Sequence, residues 1–247
     1  IEIRPDVNQL FSLFAQMKFG IEETCTTRDY CDFYKNYNTE FSAGQQEDAN
    51  EYFIMILDAF PDTTKELFQG KFKETIRQAD NQRVLNEHEE LYTTVSVPVA
   101  NITDLASALR QFLTPEPLTG DNSYSIGGGQ KVYALKETSF LTIPHFLVFQ
   151  LKRFEYNLTN FTRYKIDSRF EFPTTINMSE FSNIDSLYRL KGAVIHMGVA
   201  EGGHYISVVK HQSKWIKCDD RTLTEISDDA FFELAFGGSG CCNAYLL

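Results

Sequence analysis

The spacing of apolar residues changes character at Pro61, and that change limits the folds open to this chain. Upstream, PDVNQLFSLFAQMKFG carries Leu10, Leu13, Phe14 and Met17 on one helical face, with Gly20 as a stop. GQQEDANEYFIMILDAF repeats the pattern with Ala49, Tyr52, Phe53, Ile56, Leu57 and Phe60, and the proline follows. A polar stretch holding Cys25 and Cys31 lies between them. Downstream, GKFKETIR, ELYTTVSVPV, KVYALKETSFLTIP, HFLVFQLKRFEY and YKIDSRFEFP read as strands rich in aromatic and β-branched residues. LYRLKGAVIHM, HYISVVKH, KWIKCDD and NAYLL continue the series. NITDLASALRQFL predicts a short helix among the strands, and SDDAFFELAF a second, capped by Ser227, acidic in its first turn and closed by Gly237 and Gly238. Ile126–Gln130, IGGGQ, reads as a turn. Helices first and antiparallel strands later define an α+β fold.

The chain has 247 residues, of which 43% are hydrophobic and 14% aromatic, ample for a packed core. No apolar run approaches the ~20 residues that span a bilayer, and the N-terminal residues lack a signal-peptide pattern. The net charge of −11 argues against nucleic acid as the main partner and allows a basic protein or peptide, although charge alone is as well explained by solubility. Five cysteines without a C-x-x-C pair point to a reduced intracellular protein, cytoplasmic or nuclear, with no membrane association. Sequons at Asn101, Asn157, Asn160 and Asn177 are too common by chance to outweigh that.

One histidine stands out. In EGGHYISVVKHQSKWIKCDD, His204 follows Gly202 and Gly203, and Asp219 and Asp220 come fifteen and sixteen residues later. A hairpin turning on His211 and Gln212 would pair Lys210 with Ser213 and set His204 directly opposite Asp219. Alternation along the strand would then turn Asp220 to the other side. A histidine oriented by a carboxylate serves to activate a nucleophile, whereas an isolated His–Asp pair is more often a surface contact. Gly202 and Gly203 would let another backbone approach closely. His88, His145, His196 and His211 show no comparable partner and default to structural roles.

QQEDANEY, FLVFQLKRFEY, RFEFP, YRLKGAVIHMGVAEGGHYISVV and KWIKCDDRTLTEI, in this order, resemble the catalytic domain of the ubiquitin-specific proteases, closest to the large-ubiquitin-protease branch. The resemblance implies a papain-like, palm–thumb–fingers arrangement that grips ubiquitin and cleaves after its C-terminal glycines. On that basis residues 1–247 form one catalytic domain: a thumb-like part over 1–68, a fingers-like part over 69–145 and a palm over 146–247. It implies His204 as general base, Asp219 as its orienting acid and Asp220 as a supporting acid. Asp48 and Glu51 match acids that hold arginines of the ubiquitin tail. Independently, they fall one helical turn apart, spaced to share a cation or, equally well, to complement a helix dipole. Gln46 of the same motif, Phe170, Tyr205, Gly202 and Gly203 complete the implied substrate-binding set. Tyr156–Lys165 and Gly198–Gly203 resemble the family's mobile blocking loops.

Two features depart from that family. Its fingers usually bind a structural zinc through two C-x-x-C pairs, but the corresponding stretches here read RQAD, Arg77–Asp80, and IGGG, Ile126–Gly129. No thiol or imidazole ligand remains there, so no metal and no other cofactor is expected. The family's nucleophile opens a helix in a G-N-T-C box well before the Q-x-x-D-A-x-E-F motif, and no such box exists here. Cys25 lies only twenty residues before Gln45 and follows the first helix, Cys31 lacks any such context, and Cys218 should face away from Asp219. The expectation is a nucleophile upstream of Ile1 in a monomeric deubiquitinase, the alternative being a catalytically dead ubiquitin-binding module.

Overall fold

The structure is a computed structural model that describes residues 5–21, 25–37 and 47–247. The chain divides into two compact units, residues 1–67 and 68–247.

The first unit is helical: α1 Pro5–Phe19, α2 Arg28–Tyr37, α3 Ala49–Ala59 and α4 Asp62–Lys65. The expected first helix and the QQEDANEY helix are therefore present. Of the four residues assigned to the apolar face of α1, Leu10 and Leu13 are half-buried, but Phe14 and Met17 are 50% and 65% exposed. Periodicity determines that a helix forms, whereas burial of a face needs a surface to meet it. Phe11 of α1 meets Phe60 edge-on at 5.6 Å. The polar stretch that holds Cys31, whose spacing predicts no helix, forms α2, whose Tyr30 hydroxyl lies 2.7 Å from that of Tyr52 in α3.

The second unit holds the strands. In chain order they are β1 Gly70–Gln78, β2 Val84–Tyr92, β3 Thr94–Pro98, β4 Glu116–Leu118, β5 Tyr124–Gly127, β6 Gln130–Val132, β7 Ala134–Thr142, β8 Val148–Lys152 and β9 Phe154–Asn157. There follow β10 Thr162–Lys165, β11 Thr175–Asn177, β12 Leu187–Arg189, β13 Gly192–Val199, β14 Gly202–His211, β15 Lys214–Asp219, β16 Thr222–Ile226 and β17 Cys242–Leu246. The two helices are α5 Leu105–Phe112 and α6 Asp228–Phe236. Both begin where side chains cap them: Asp104 accepts from the Ser107 N–H and Ser227 from that of Ala230. The glycine run of IGGGQ makes the β5–β6 turn, all three glycines having positive φ.

A seven-stranded sheet runs β16-β15-β14-β13-β17-β8-β3 and a four-stranded sheet β2-β1-β7-β4. Every pair is antiparallel except β3–β8, whose ends are joined through α5 and the four-stranded sheet. Residues assigned to the fingers-like part thus supply β3, an edge strand of the large sheet. One core runs through the unit, from Phe72, Tyr92 and Phe140 to Val95, Leu151, Ile195 and Val208. Trp215 of β15, 1% exposed, stacks on Phe231 of α6 at 4.0 Å.

YKIDSRFEFP is a strand only to Lys165. Beyond it the backbone of this stretch keeps only a single bridge, Asp104 with Glu171, and its polar groups turn to scattered partners, a buried guanidinium among them. Arg153 of the LKRF stretch, fully buried, donates to the carbonyls of Ile166 (3.0 Å) and Ser168 (2.7 Å). Burial pushes its pKa down to about 10, against the pull of Asp167.

Candidate active site

The β14–β15 hairpin turns on Gln212 and Ser213, one position later than expected, with Gln212 in the left-handed region at φ +54°. His211 therefore faces Lys214, and the ladder shifts by two residues from the predicted register. A shift of two preserves the face on which each side chain stands, so His204 and Asp219 become diagonal instead of direct neighbours. They still meet: Nε2 of His204 lies 2.9 Å from Oδ1 of Asp219. Both side chains are partly open to solvent.

The electrostatics fix the proton. The His204 hydrogen bond holds the Asp219 carboxyl below its ordinary 3.8, burial opposes this, and Lys217 adds to it. Lys217 Nζ stands 3.7 Å from Oδ2, on the carboxylate edge that His204 leaves open. An ionised carboxylate only accepts, so Nε2 carries a hydrogen and donates it, and Nδ1 takes no part in this bond. Lys217 was not among the expected residues. Its signal was the i, i+2 spacing from Asp219, which puts both on one strand face.

Asp220 does not obey the alternation expected of it. β15 ends at Asp219, and Asp220 enters the next turn at φ +49°. Its carboxylate lies within 4.8 Å of the ligand atoms of both His204 and Asp219. Cys218 stands on the opposite face, paired with Ser207, and its thiol donates to the Ile216 carbonyl.

The remaining expected residues fare unequally. Phe170 is fully buried, with the Arg153 guanidinium 5.8 Å from its ring, so it packs the core and presents nothing to a substrate channel. Tyr205 lies on the β14 face away from His204, its ring against His196 (4.9 Å) and Tyr245 (5.9 Å). Gly203 faces its own neighbour, not a foreign backbone: a Cβ there would lie 2.3 Å from the Met197 carbonyl oxygen. Gly202 opens β14 opposite Val199. Asp48 is the N-cap of α3, accepting from the N–H groups of Asn50 (2.7 Å) and Glu51 (3.1 Å), while Glu51 lies exposed in the first turn. Gln46 lies outside the described residues. His88 does have a carboxylate partner after all, Glu74, which it opposes directly across β1–β2 with Nε2 3.1 Å away.

Two groups among the described residues bring three potential metal ligands together, Glu74–His88–Glu90 and His204–Asp219–Asp220. Glu74 is already matched by Lys136 at 2.8 Å, and Asp219 by His204 and Lys217. No cysteine occurs between residues 69 and 145.

An imidazole held by a carboxylate at the end of a sheet is the machinery of hydrolases that activate a nucleophile. A family model described as ubiquitin carboxyl-terminal hydrolase matches residues 6–247, and the chain belongs to that family. It is 24% identical over 98% of its length to ubiquitin carboxyl-terminal hydrolase puf of Drosophila melanogaster. To ubiquitin carboxyl-terminal hydrolase 34 of Homo sapiens it is 24% identical over 96%, and to ubiquitin carboxyl-terminal hydrolase 7 of Caenorhabditis briggsae 29% over 84%. The chain spans 8%, 8% and 21% of those three relatives. It shares its fold with a chain of the SAGA DUB module Ubp8/Sgf11/Sus1/Sgf73 bound to monoubiquitin. That likeness has a TM-score of 0.85 at 24% identity, covering 99% of this chain and 58% of the other.

Proposed function

We propose that this chain belongs to the catalytic domain of a deubiquitinating cysteine hydrolase that cleaves peptide and isopeptide bonds after the C-terminal glycine of ubiquitin. The observation that carries the reading is the 2.9 Å contact from His204 Nε2 to Asp219, which leaves Nδ1 as a base within this family's fold. In the reaction Nδ1 takes the proton of a cysteine thiol, and the thiolate attacks the carbonyl carbon of the terminal glycine. The imidazolium, stabilised by Asp219, returns the proton to the leaving amine. A water molecule activated by the same imidazole then hydrolyses the thioester. Asp220 adds negative charge beside the imidazolium. Glu51 and Asp48 receive arginines of the ubiquitin tail.

The nucleophile is supplied from a segment preceding Ile1. Two cysteines of this chain suit the role poorly: Cys218 faces away from Asp219, and burial pushes the Cys242 thiol up, which lowers its reactivity. The fingers-like sheet holds by strand pairing and ion pairs such as Arg77–Glu137 (3.0 Å), with no zinc. The protein acts inside the cell as a monomer.

The test is covalent labelling of the full-length protein by ubiquitin carrying a C-terminal electrophile. Labelling that disappears in His204→Ala supports the enzyme. Ubiquitin binding without labelling would instead establish a scaffolding pseudoprotease.

A further inference from the structure

Lys165 ends β10, where it pairs with Phe154 across the β9–β10 hairpin. Its side chain is only 2% exposed although it carries an ammonium group. Nζ donates to the carbonyl oxygens of His196 and Gly198, each at 3.2 Å, and to that of Cys241. It also forms an ion pair with Asp167 Oδ1 at 3.2 Å, an atom that accepts from Asn243 Nδ2 at 2.7 Å. Burial pushes the pKa of this lysine below its ordinary 10.5, with Asp167 opposing the shift. A buried charge is tolerated when several bonds satisfy it together, and such a network holds its members in one arrangement.

The acceptors identify what is being held. His196 and Gly198 flank Met197, and Met197 is the residue directly opposite His204 in the β13–β14 ladder. Cys241, whose carbonyl also receives the Gly198 N–H at 3.1 Å, leads into β17 on the other side of β13. One ammonium therefore ties the base of the β9–β10 hairpin to the strand end that backs His204.

We propose that Lys165 is a positioning residue that holds the β13 end so that His204 keeps its Nε2–H on Asp219 and its Nδ1 free. The inference deepens the hydrolase reading above and rests on it for its catalytic meaning, but the ring position can be measured without any reaction. The experiment labels the five histidines of this chain with nitrogen-15 and follows the His204 ring by NMR, its signals assigned by loss in His204→Gln. In the parent protein the Nε2–H tautomer should predominate by roughly tenfold or more, because Asp219 accepts only from that nitrogen. Lys165→Met should reduce the preference to about threefold or less, while Lys165→Arg, which keeps charge and donors, should retain most of it. If Lys165→Met does not fold, Asp167→Asn, which weakens the cluster but leaves the lysine, should give an intermediate ratio. Folded Lys165→Met or Asp167→Asn protein with an unchanged ratio would overturn the proposal. So would Lys165→Arg losing the preference as fully as Lys165→Met, since packing alone would then explain the effect. Failure of the full-length protein to label with the ubiquitin electrophile would remove the hydrolase reading without altering these ring signals.

Discussion

Replacing Gly203 with alanine tests how tightly the strand carrying His204 is held. An added Cβ would lie 2.3 Å from the Met197 carbonyl oxygen and 2.7 Å from Nε2 of His196, whereas ordinary contact begins at 3.4 Å. Neither obstacle can swing aside. The carbonyl belongs to β13, where Gly198 pairs with Gly203 and Met197 with His204, and His196 is 2% exposed. Relief therefore requires β13 and β14 to separate by about 1 Å at the pairs beside His204. Overpacking against side chains costs typically 1–3 kcal/mol, and with backbone as the obstacle the upper end, about 3 kcal/mol, is expected. For a chain of this size each kcal/mol lowers Tm by roughly 2–4 °C, so the melting point should fall by about 6–12 °C. Calorimetry of the parent and Gly203→Ala proteins measures this, and the His204 ring signals should shift as the ladder opens. A drop under about 2 °C with unchanged ring signals would refute the reasoning, because it would mean that the strands part there at no cost.

Asp219→Ala should remove the bias toward the Nε2–H tautomer and cut turnover of a ubiquitin substrate by roughly 10²–10⁴-fold, with KM changed far less; steady-state kinetics on full-length protein decides this. Trp215→Ala empties a buried site stacked on Phe231 and should cost about 3–5 kcal/mol, read from a denaturant melt. Asp104→Ala should cost about 1 kcal/mol by uncapping α5. The Ser107 N–H holds the Asp104 carboxyl below its ordinary 3.8 despite the opposing effect of burial. Its contribution is therefore fully present above pH 3.8 and fades as pH falls through the lowered value. Asp104→Asn should keep a cap but lose that pH dependence, and identical acid melts of the parent and Asn proteins would contradict it.

Much of this molecule was legible one segment at a time. The spacing in ANEYFIMILDA and DDAFFELAF fixed two helices, the second with Ser227 as its cap, because capping and periodicity operate within a single turn. α2 is hard to see in the sequence because its RDYCDFYKNY pattern is polar on most sides. Segment 166–174 departs from a strand because its backbone bonds to scattered partners, the Arg153 guanidinium and backbone groups of Thr103, Leu105, Leu190, Phe236 and Gly238 among them. The His–Asp pair could be counted from sequence because parity along two strands survives an error of two residues in register. Asp220 could not, because alternation ends where the turn begins.

The sequence by itself determined the α+β order, the family and the face shared by His204 and Asp219, since these depend on local spacing and short hairpins. Only the tertiary structure decided that Phe170 belongs to the core and that Lys165 gathers three carbonyls behind His204. Those outcomes depend on which distant groups reach a residue's polar atoms or cover its apolar surface. Burial and hydrogen-bond satisfaction are settled only when the whole unit has packed.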